Sequence, residues 1–208
     1  AIKTMKWNPI LPEREKEIKK IIKELVSAII ESDNPESKFF NLVAGKVGLI
    51  TLLGYVEKEG LAQYTEKIEE LLGEVTHALE NETMDSSLHY GFAGIAWIYQ
   101  HLANISYFEG FDPANLDEID SHVFTGIEKN FELKNYDLLA GMVGQGIYLL
   151  ERMPHPGAKK YLEKLVDLFE SMSEKDDHGI YWREYRHWDV ENYQNGKPKE
   201  VLNLGVAH

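Results

Sequence analysis

The 208-residue chain is 43% hydrophobic and 27% charged, a composition typical of a globular protein with one substantial core. Its net charge of −13 disfavours binding to nucleic-acid phosphates and to anionic membrane surfaces. The absence of cysteine excludes disulfides, a thiol nucleophile and cysteine metal ligands among its own residues. The sequence shows neither a secretory signal pattern nor an apolar stretch of membrane-spanning length, so a cytoplasmic protein is the simplest expectation.

Helix-period patterns follow one another along most of the sequence, and two kinds alternate. Helices of the first kind have apolar residues on one face, with lysine and glutamate on the other. Helices of the second kind are apolar nearly all round and therefore have to be buried on every side. In chain order, starting with the one-faced kind, the predicted segments are 18–30, 42–56, 64–79, 88–102, 116–131, 138–150 and 161–172. This alternation predicts an all-α protein with an inner and an outer layer of helices, an α/α toroid.

Each apolar segment opens on the same short phrase, a hydrophobic run around a Gly-x-x-Gly pair. The phrases are 42–48, 88–94 and 138–144, and their first glycines are 46 and 50 residues apart, a spacing typical of helix-pair repeats. Glycine costs about 1 kcal/mol relative to alanine inside a helix, so these positions need a reason. We expect either a tight turn into the inner helix or close approach of neighbouring inner helices.

The segment near 176–200 has no helical period, and we predict a long irregular loop that contains a short hairpin. It carries a cluster of aromatic and basic side chains. One interpretation is a loop that packs over the end of the inner helices. The other is a wall of a peptide-binding groove, because aromatic and arginine side chains often contribute most of the binding energy. The candidate substrate-binding residues are then Trp182, Arg183, Arg186 and Trp188.

Four motifs occur in order along the chain: Ser87–Ala96 (SLHYGFAGIA), Asn135–Gly144 (NYDLLAGMVG), Gly179–Trp182 (GIYW) and Asn203–His208 (NLGVAH). The last of them looks like the beginning of a fourth repeat phrase. Together the motifs resemble the repeat segments of the lanthionine synthetase C-like family, the lanthipeptide cyclases. The ordered set covers roughly residues 40–208. The resemblance implies a toroid of inner and outer helices.

The resemblance also implies a zinc enzyme whose partner is a dehydrated precursor peptide, with a dehydratase as a second candidate partner. Members of the family bind zinc through two cysteines and one histidine, and add a peptide cysteine thiol to dehydroalanine or dehydrobutyrine to close a thioether ring. Zinc coordination deprotonates a thiol, and three protein ligands leave the fourth position for the substrate sulfur. By motif position, the candidate catalytic acid–base residues are Asp137 and His208. His89 is a candidate substrate-binding residue, since its phrase places it near the same end of the inner helices as Asp137.

The family's zinc ligands lie beyond the histidine motif, at which this sequence ends. We therefore expect residues 1–208 to form a single domain, about half of the toroid, truncated before the metal-binding half and without a metal site of its own. Alone, such a half toroid is expected to be inactive. It is also expected to self-associate, because its apolar inner helices lack partners on one side.

Other interpretations of the same residues stay open. An α/α-barrel carbohydrate-active enzyme would use paired carboxylates at one end of the barrel, where the sequence offers Asp137 and Asp85. A non-enzymatic, peptide-binding helical repeat protein would explain the aromatic loop and the missing metal ligands. Asp137 also fits a helix N-cap, His89 a structural histidine, and His208 a mobile chain end.

Overall fold

The computed structural model describes residues 11–32, 39–108, 110–185 and 200–202. Within these residues most of the chain is helical. Short 3-10 turns at Pro12–Arg14 and Pro113–Leu116 precede the first and the fifth helix. The helices are α1 (Glu15–Glu31), α2 (Lys46–Lys58), α3 (Thr65–Asn81), α4 (Phe92–Asn104), α5 (Asp117–Glu132), α6 (Met142–Glu151) and α7 (Pro156–Met172).

The structure confirms the all-α prediction and the order of the two kinds of helix. The one-faced segments form α1, α3, α5 and α7, and the apolar segments form α2, α4 and α6. The predicted beginnings of the apolar helices were wrong, because these helices begin four residues later, at Lys46, Phe92 and Met142. The hydrophobic residues that precede each first glycine form a turn and do not belong to the helix.

The helices pack in two layers. Helix α4 lies between α2 and α6, and these three form the inner layer. In the outer layer, α3 packs against α2 and α4, while α5 packs against α4 and α6, and α7 against α5 and α6. Buried apolar side chains fill the space between the layers, among them Val26, Ile50, Ile95, Ile127 and Leu149, each at most 1% exposed. Closure of these layers into a toroid stays a prediction.

Three equivalent turns lead into the inner helices; we call them the repeat turns, and they comprise residues 39–45, 85–91 and 135–141. In each, the first N–H of the helix donates to the carbonyl oxygen seven residues earlier. The pairs are Lys46 N to Phe39 O at 3.0 Å, Phe92 N to Asp85 O at 3.0 Å and Met142 N to Asn135 O at 3.1 Å. The chain therefore folds back on each inner helix before entering it.

This fold-back explains the second glycine of each phrase. A side chain on Gly94 would collide with the carbonyl oxygen of Leu88, and one on Gly144 with that of Leu138. A Cβ at Gly144 would also lie 3.0 Å from the Cβ of Leu88 in the neighbouring repeat turn. Both expected reasons for glycine are present, and the tight turn is the stronger of the two.

Beyond α7 the chain forms short antiparallel pairs of strands. β1 (Glu174–Asp176) pairs with β2 (Gly179–Tyr181), with Glu174 opposite Tyr181. β3 (Arg183–Tyr185) pairs with β4 (Glu200–Leu202), with Arg183 opposite Leu202. The region predicted as an irregular loop with one hairpin is thus framed by two strand pairs. Among the described residues, no helix combines the length and the apolar character needed to cross a membrane.

Candidate functional site

The repeat turns lie side by side at one end of the inner helices, joined by backbone hydrogen bonds. The N–H of Leu42 donates to the carbonyl oxygen of His89 at 3.1 Å, and the N–H of His89 donates to the carbonyl oxygen of Leu139 at 3.0 Å. The turn of His89 is therefore in direct contact with the turn of Asp137. This end of the inner helices is the candidate functional site.

Asp137 is 6% exposed and caps its own repeat turn. Its Oδ1 accepts hydrogen bonds from the N–H groups of Leu139 and Ala140, both at 2.7 Å. The carboxylate of Asp137 therefore stabilises the turn, and its catalytic role stays a prediction.

The other two repeats have a different residue at the position of Asp137, four residues before the first glycine. Asn41 accepts from the N–H of Ala44 at 2.7 Å, and Ser87 accepts from the N–H of Tyr90 at 3.2 Å. Asparagine thus performs the same turn-forming task without a charge, and serine does so beside Asp85, whose Oδ1 accepts from the N–H of Ser87 at 2.8 Å. The negative charge of the third turn is not needed for the turn itself.

His89 contributes a buried nitrogen to this end of the inner layer. The residue is 9% exposed, and its ring packs against that of Tyr90, with the ring centroids 3.8 Å apart. Among the described residues, none forms a hydrogen bond with its buried Nε2 atom. Buried polar nitrogens are normally paired, so Nε2 needs a partner from water, from another part of the chain or from a bound molecule.

Trp182 connects the segment after α7 to the repeat turn of Asp137. The hydroxyl of Tyr136 donates to the carbonyl oxygen of Trp182 at 3.0 Å. The indole Nε1 donates to the carbonyl oxygen of Phe169 in α7 at 2.8 Å, and the two rings meet edge to face. The backbone of Trp182 therefore lies close to the candidate site, while its indole packs on the outer layer.

Arg183 is held by an ion pair with Glu174, which lies in the other pair of strands. Its Nε lies 2.9 Å from Oε1 of Glu174, and the hydrogen bond to Glu174 raises the pKa of the guanidinium. The structure thus packs the first two residues of the predicted cluster against the protein, and their role in substrate binding stays a prediction. Arg186, Trp188 and His208 lie outside the described residues.

Potential metal ligands come together elsewhere, at the other end of α6. Donor atoms of Asp117, Asp120 and His155 lie within 4.8 Å of one another. The Nη2 atom of Arg152 lies 2.8 Å from Asp117 and 2.7 Å from Asp120, so one guanidinium already pairs with both carboxylates. The cluster contains two carboxylates and one histidine, and it lacks the cysteines that the motif resemblance implies for a zinc site.

Comparison with models of known families shows which family the chain belongs to. The family model described as "Lanthionine synthetase C-like protein" matches residues 36–208. The chain belongs to the lanthionine synthetase C-like family. The match includes all three repeat turns and all helices from α2 to α7, and it confirms the resemblance seen in the motifs. No curated protein matches the chain.

Sequence reasoning missed the part that Asn41 and Tyr136 play in this lanthionine synthetase C-like chain. Asn41 could have been found by aligning the three phrases on their first glycines, because it occupies the position of Asp137. The hydrogen bond from Tyr136 to Trp182 spans 46 residues, and no local sequence pattern predicts it.

Proposed function

We propose that this chain is the part of a zinc-dependent lanthipeptide cyclase that holds the acid–base residue Asp137 beside the peptide-binding end of the inner helices. Membership of the lanthionine synthetase C-like family supports a cyclase-like function, and it favours this function over a carbohydrate-active enzyme. In the proposed reaction a peptide cysteine adds to dehydroalanine or dehydrobutyrine. The sulfur bonds to the β-carbon, the thiol proton leaves the sulfur, and the α-carbon gains a proton.

The charge of Asp137 carries the proposal. Its repeat equivalents Asn41 and Ser87 form the same kind of turn with neutral side chains. The turn of Asn41 forms without a charge, so we assign the charge of Asp137 to the reaction, where the carboxylate takes up the thiol proton or orients a second acid–base group. His208 is the proposed second group.

The neighbouring side chains support a peptide-binding role for this end of the inner layer. His89 offers a buried nitrogen that no described residue pairs, and Tyr90 beside it is 60% exposed. The backbone of Trp182 lies next to the turn of Asp137 through its bond with Tyr136, and Tyr90 supplies the exposed aromatic ring. A peptide strand can use such a combination of an aromatic surface and unpaired polar atoms.

We propose that residues outside this sequence bind the zinc. The chain contains no cysteine, so a zinc site with cysteine ligands requires another part of the protein. When bound, the metal would supply the thiolate form of the peptide cysteine. A closed toroid, a cytoplasmic location and a dehydratase partner belong to the same proposal.

A pair of substitutions in the zinc-loaded protein that includes this chain tests the role of Asp137. The substrate is a dehydrated peptide with one cysteine, and mass spectrometry after thiol alkylation measures ring closure. Asp137→Asn keeps the acceptor oxygen of the turn and removes the charge. We expect the cyclisation rate to fall about 100-fold or more while the melting temperature stays unchanged.

Asn41→Ala is the matched control, because it removes the equivalent turn bond and leaves every charge in place. It should lower the melting temperature and leave the rate per folded molecule unchanged. Full activity of Asp137→Asn would refute the catalytic assignment. If both variants lose the same stability and keep the same activity, Asp137 only stabilises its turn and has no catalytic role.

A further inference from the structure

The opposite end of the inner helices holds a second constellation of polar side chains. Tyr55 in α2, His101 in α4 and Glu151 in α6 each lie ten residues after the first glycine of their phrase. They are therefore repeat equivalents, yet they are three different residue types joined in one chain of hydrogen bonds. Tyr55 Oη lies 2.6 Å from His101 Nε2, and His101 Nδ1 lies 3.0 Å from Glu151 Oε1.

The imidazole of His101 is held by a stacking contact in addition to its two hydrogen bonds. Its ring stacks on Trp97, with centroids 4.4 Å apart and planes at 13°. Glu151 is fixed in turn by Asn104, whose Nδ2 donates to the Oε1 of Glu151 at 2.9 Å and to its carbonyl oxygen at 2.7 Å. Asn104 Oδ1 accepts from Gln100 at 2.8 Å.

This arrangement defines a direction for the hydrogen bonds. The carboxylate of Glu151 can only accept, so the Nδ1 of His101 donates to it. A neutral imidazole then has Nε2 as an acceptor, and the phenol of Tyr55 donates to Nε2. Tyr55 is 40% exposed, whereas the side chains of His101 and Glu151 are 15% and 23% exposed. The phenol is thus the accessible end of the chain.

We propose that Tyr55, His101 and Glu151 form a second reactive centre, in which His101 acts as general base for the Tyr55 phenol and Glu151 orients the imidazole. A nucleophile within hydrogen-bond distance of a base, with the base oriented by a third group, is the arrangement that activates hydroxyl nucleophiles in enzymes. The centre lies on the inner layer but at the end away from Asp137. It is independent of the proposed cyclase chemistry.

The class of substrate that fits is an acyl donor with a good leaving group, such as an activated ester or an acyl-imidazole. The phenol oxygen attacks the carbonyl carbon, and its proton passes to Nε2 of His101. The new bond joins oxygen to the acyl carbon, the bond between carbonyl and leaving group breaks, and the proton on His101 passes to the leaving group. The product is an O-acyl tyrosine at position 55.

N-acetylimidazole is the probe for this centre. The intact chain is treated with the reagent, and peptide mass spectrometry follows acetylation at each tyrosine over time. Tyr90 is the internal reference, since it is 60% exposed and therefore more accessible than Tyr55. We expect Tyr55 to react at least about tenfold faster than Tyr90, because general-base assistance outweighs the difference in exposure.

Two variants separate activation from mere exposure. His101→Phe keeps an aromatic ring against Trp97 and removes the base, so the rate at Tyr55 should fall about tenfold or more while Tyr90 is unaffected. Glu151→Gln keeps the size of the side chain, but its amide can donate to Nδ1 and turn Nε2 into a donor. It should therefore lower the rate at Tyr55 by about threefold or more.

A rate at Tyr55 no higher than that of Tyr90, or an unchanged rate in His101→Phe, would overturn the proposal. The bonds would then serve only to clamp the three inner helices together. If His101→Phe loses its helical circular dichroism signal, Glu151→Gln decides alone. An unchanged rate at Tyr55 in that variant overturns the proposal, and a decreased one supports it.

Discussion

Arg152 and Asp120 form an ion pair in the interior of the protein, with Nη2 2.7 Å from Oδ2 and with 0% and 3% of the two side chains exposed. Tyr148 donates to the Oδ1 of the same carboxylate at 2.6 Å. The Nη1 of Arg152 donates to Gln100 Oε1 at 3.0 Å and to the carbonyl oxygen of Pro113 at 2.7 Å. The pair connects the end of α6 to the first turn of α5, and its hydrogen bonds make the burial of two charges tolerable.

Removal of one partner of this pair should be costly. Asp120→Asn leaves the guanidinium of Arg152 buried beside a neutral amide, and we expect the free energy of unfolding to fall by about 3 kcal/mol. Urea denaturation followed by circular dichroism measures the change. Asp117→Asn is the matched control, since Asp117 also pairs with Arg152 but its side chain is 52% exposed. It should cost at most about 1 kcal/mol, and equal costs for both variants would contradict the account.

The phenol of Tyr148 should make the protein sensitive to high pH. Burial raises its pKa, and the hydrogen bond to Asp120 and the charge of Asp120 raise it further. In the unfolded chain the pKa of tyrosine is about 10, so above that pH the unfolded state loses its proton first. The stabilising contribution is therefore complete below about pH 10 and is lost as the pH rises further. Melting temperatures should therefore change little between about pH 8 and 10 and should fall steeply above about pH 10.

Tyr148→Phe tests this explanation, because it removes the ionisable group and keeps the ring. The variant should be less stable near neutral pH, where it lacks the bond to Asp120, and its melting temperature should fall less steeply above about pH 10. A smaller slope should remain, since burial also raises the pKa values of Tyr99 and Tyr107. Parallel curves for the variant and the original protein would show that Tyr148 does not control the alkaline transition.

The helices could be predicted from the sequence because burial imposes a period that the residues themselves display. Val26 and Ile127 mark the buried faces of one-faced helices, and both are buried in the structure. The beginnings of the inner helices could not be predicted in this way. Leu88 and Leu138 are apolar whether they lie in a helix or in a turn, so the pattern continues across the boundary. Backbone hydrogen bonds from the repeat turns define that boundary, and periodicity does not report them.

The candidate site was predictable where a motif carries it and hidden where long-range contacts build it. Asp137 stands out in its phrase, and its equivalents in the other repeats follow from alignment on the glycines. The hydrogen bond from Tyr136 to Trp182 spans 46 residues and has no local signal in the sequence. The unpaired Nε2 of His89 depends on which neighbours surround it, and a sequence does not contain that information.

Alanine substitutions at two helical glycines should change the free energy of unfolding in opposite directions. A methyl group at Gly144 would collide with the carbonyl oxygen of Leu138 and press on Leu88, so Gly144→Ala should lower the free energy of unfolding by about 3 kcal/mol. A methyl group at Gly73 in α3 meets no atom within 4 Å. Gly73→Ala should therefore raise stability by about 0.5–1 kcal/mol through helix propensity. Denaturant titrations of both variants measure these changes. A Gly144→Ala variant that is more stable than the original protein would refute the role of the repeat turn.

Exposed apolar side chains on α1 and on the last two helices should make the chain self-associate. On α1, Ile21, Leu25 and Ile29 are 44%, 58% and 47% exposed, and on α6 and α7, Leu150 and Val166 are 60% and 63% exposed. Apolar patches of this kind favour association in water. Sedimentation velocity of the chain should therefore show a species larger than the monomer, in proportions that depend on concentration.

Glutamine substitutions at Leu25 and Val166 identify the surfaces that associate. Glutamine keeps good helix propensity and leaves the net charge unchanged, so a change in association reports lost apolar contact. The double variant Leu25→Gln and Val166→Gln should raise the dissociation constant at least about tenfold, because each exposed aliphatic side chain contributes on the order of 1 kcal/mol when it is buried. Its melting temperature at low concentration should stay unchanged. A monomeric original chain at its highest soluble concentration would contradict the prediction, and equal association of chain and variant would place the contact elsewhere on the protein.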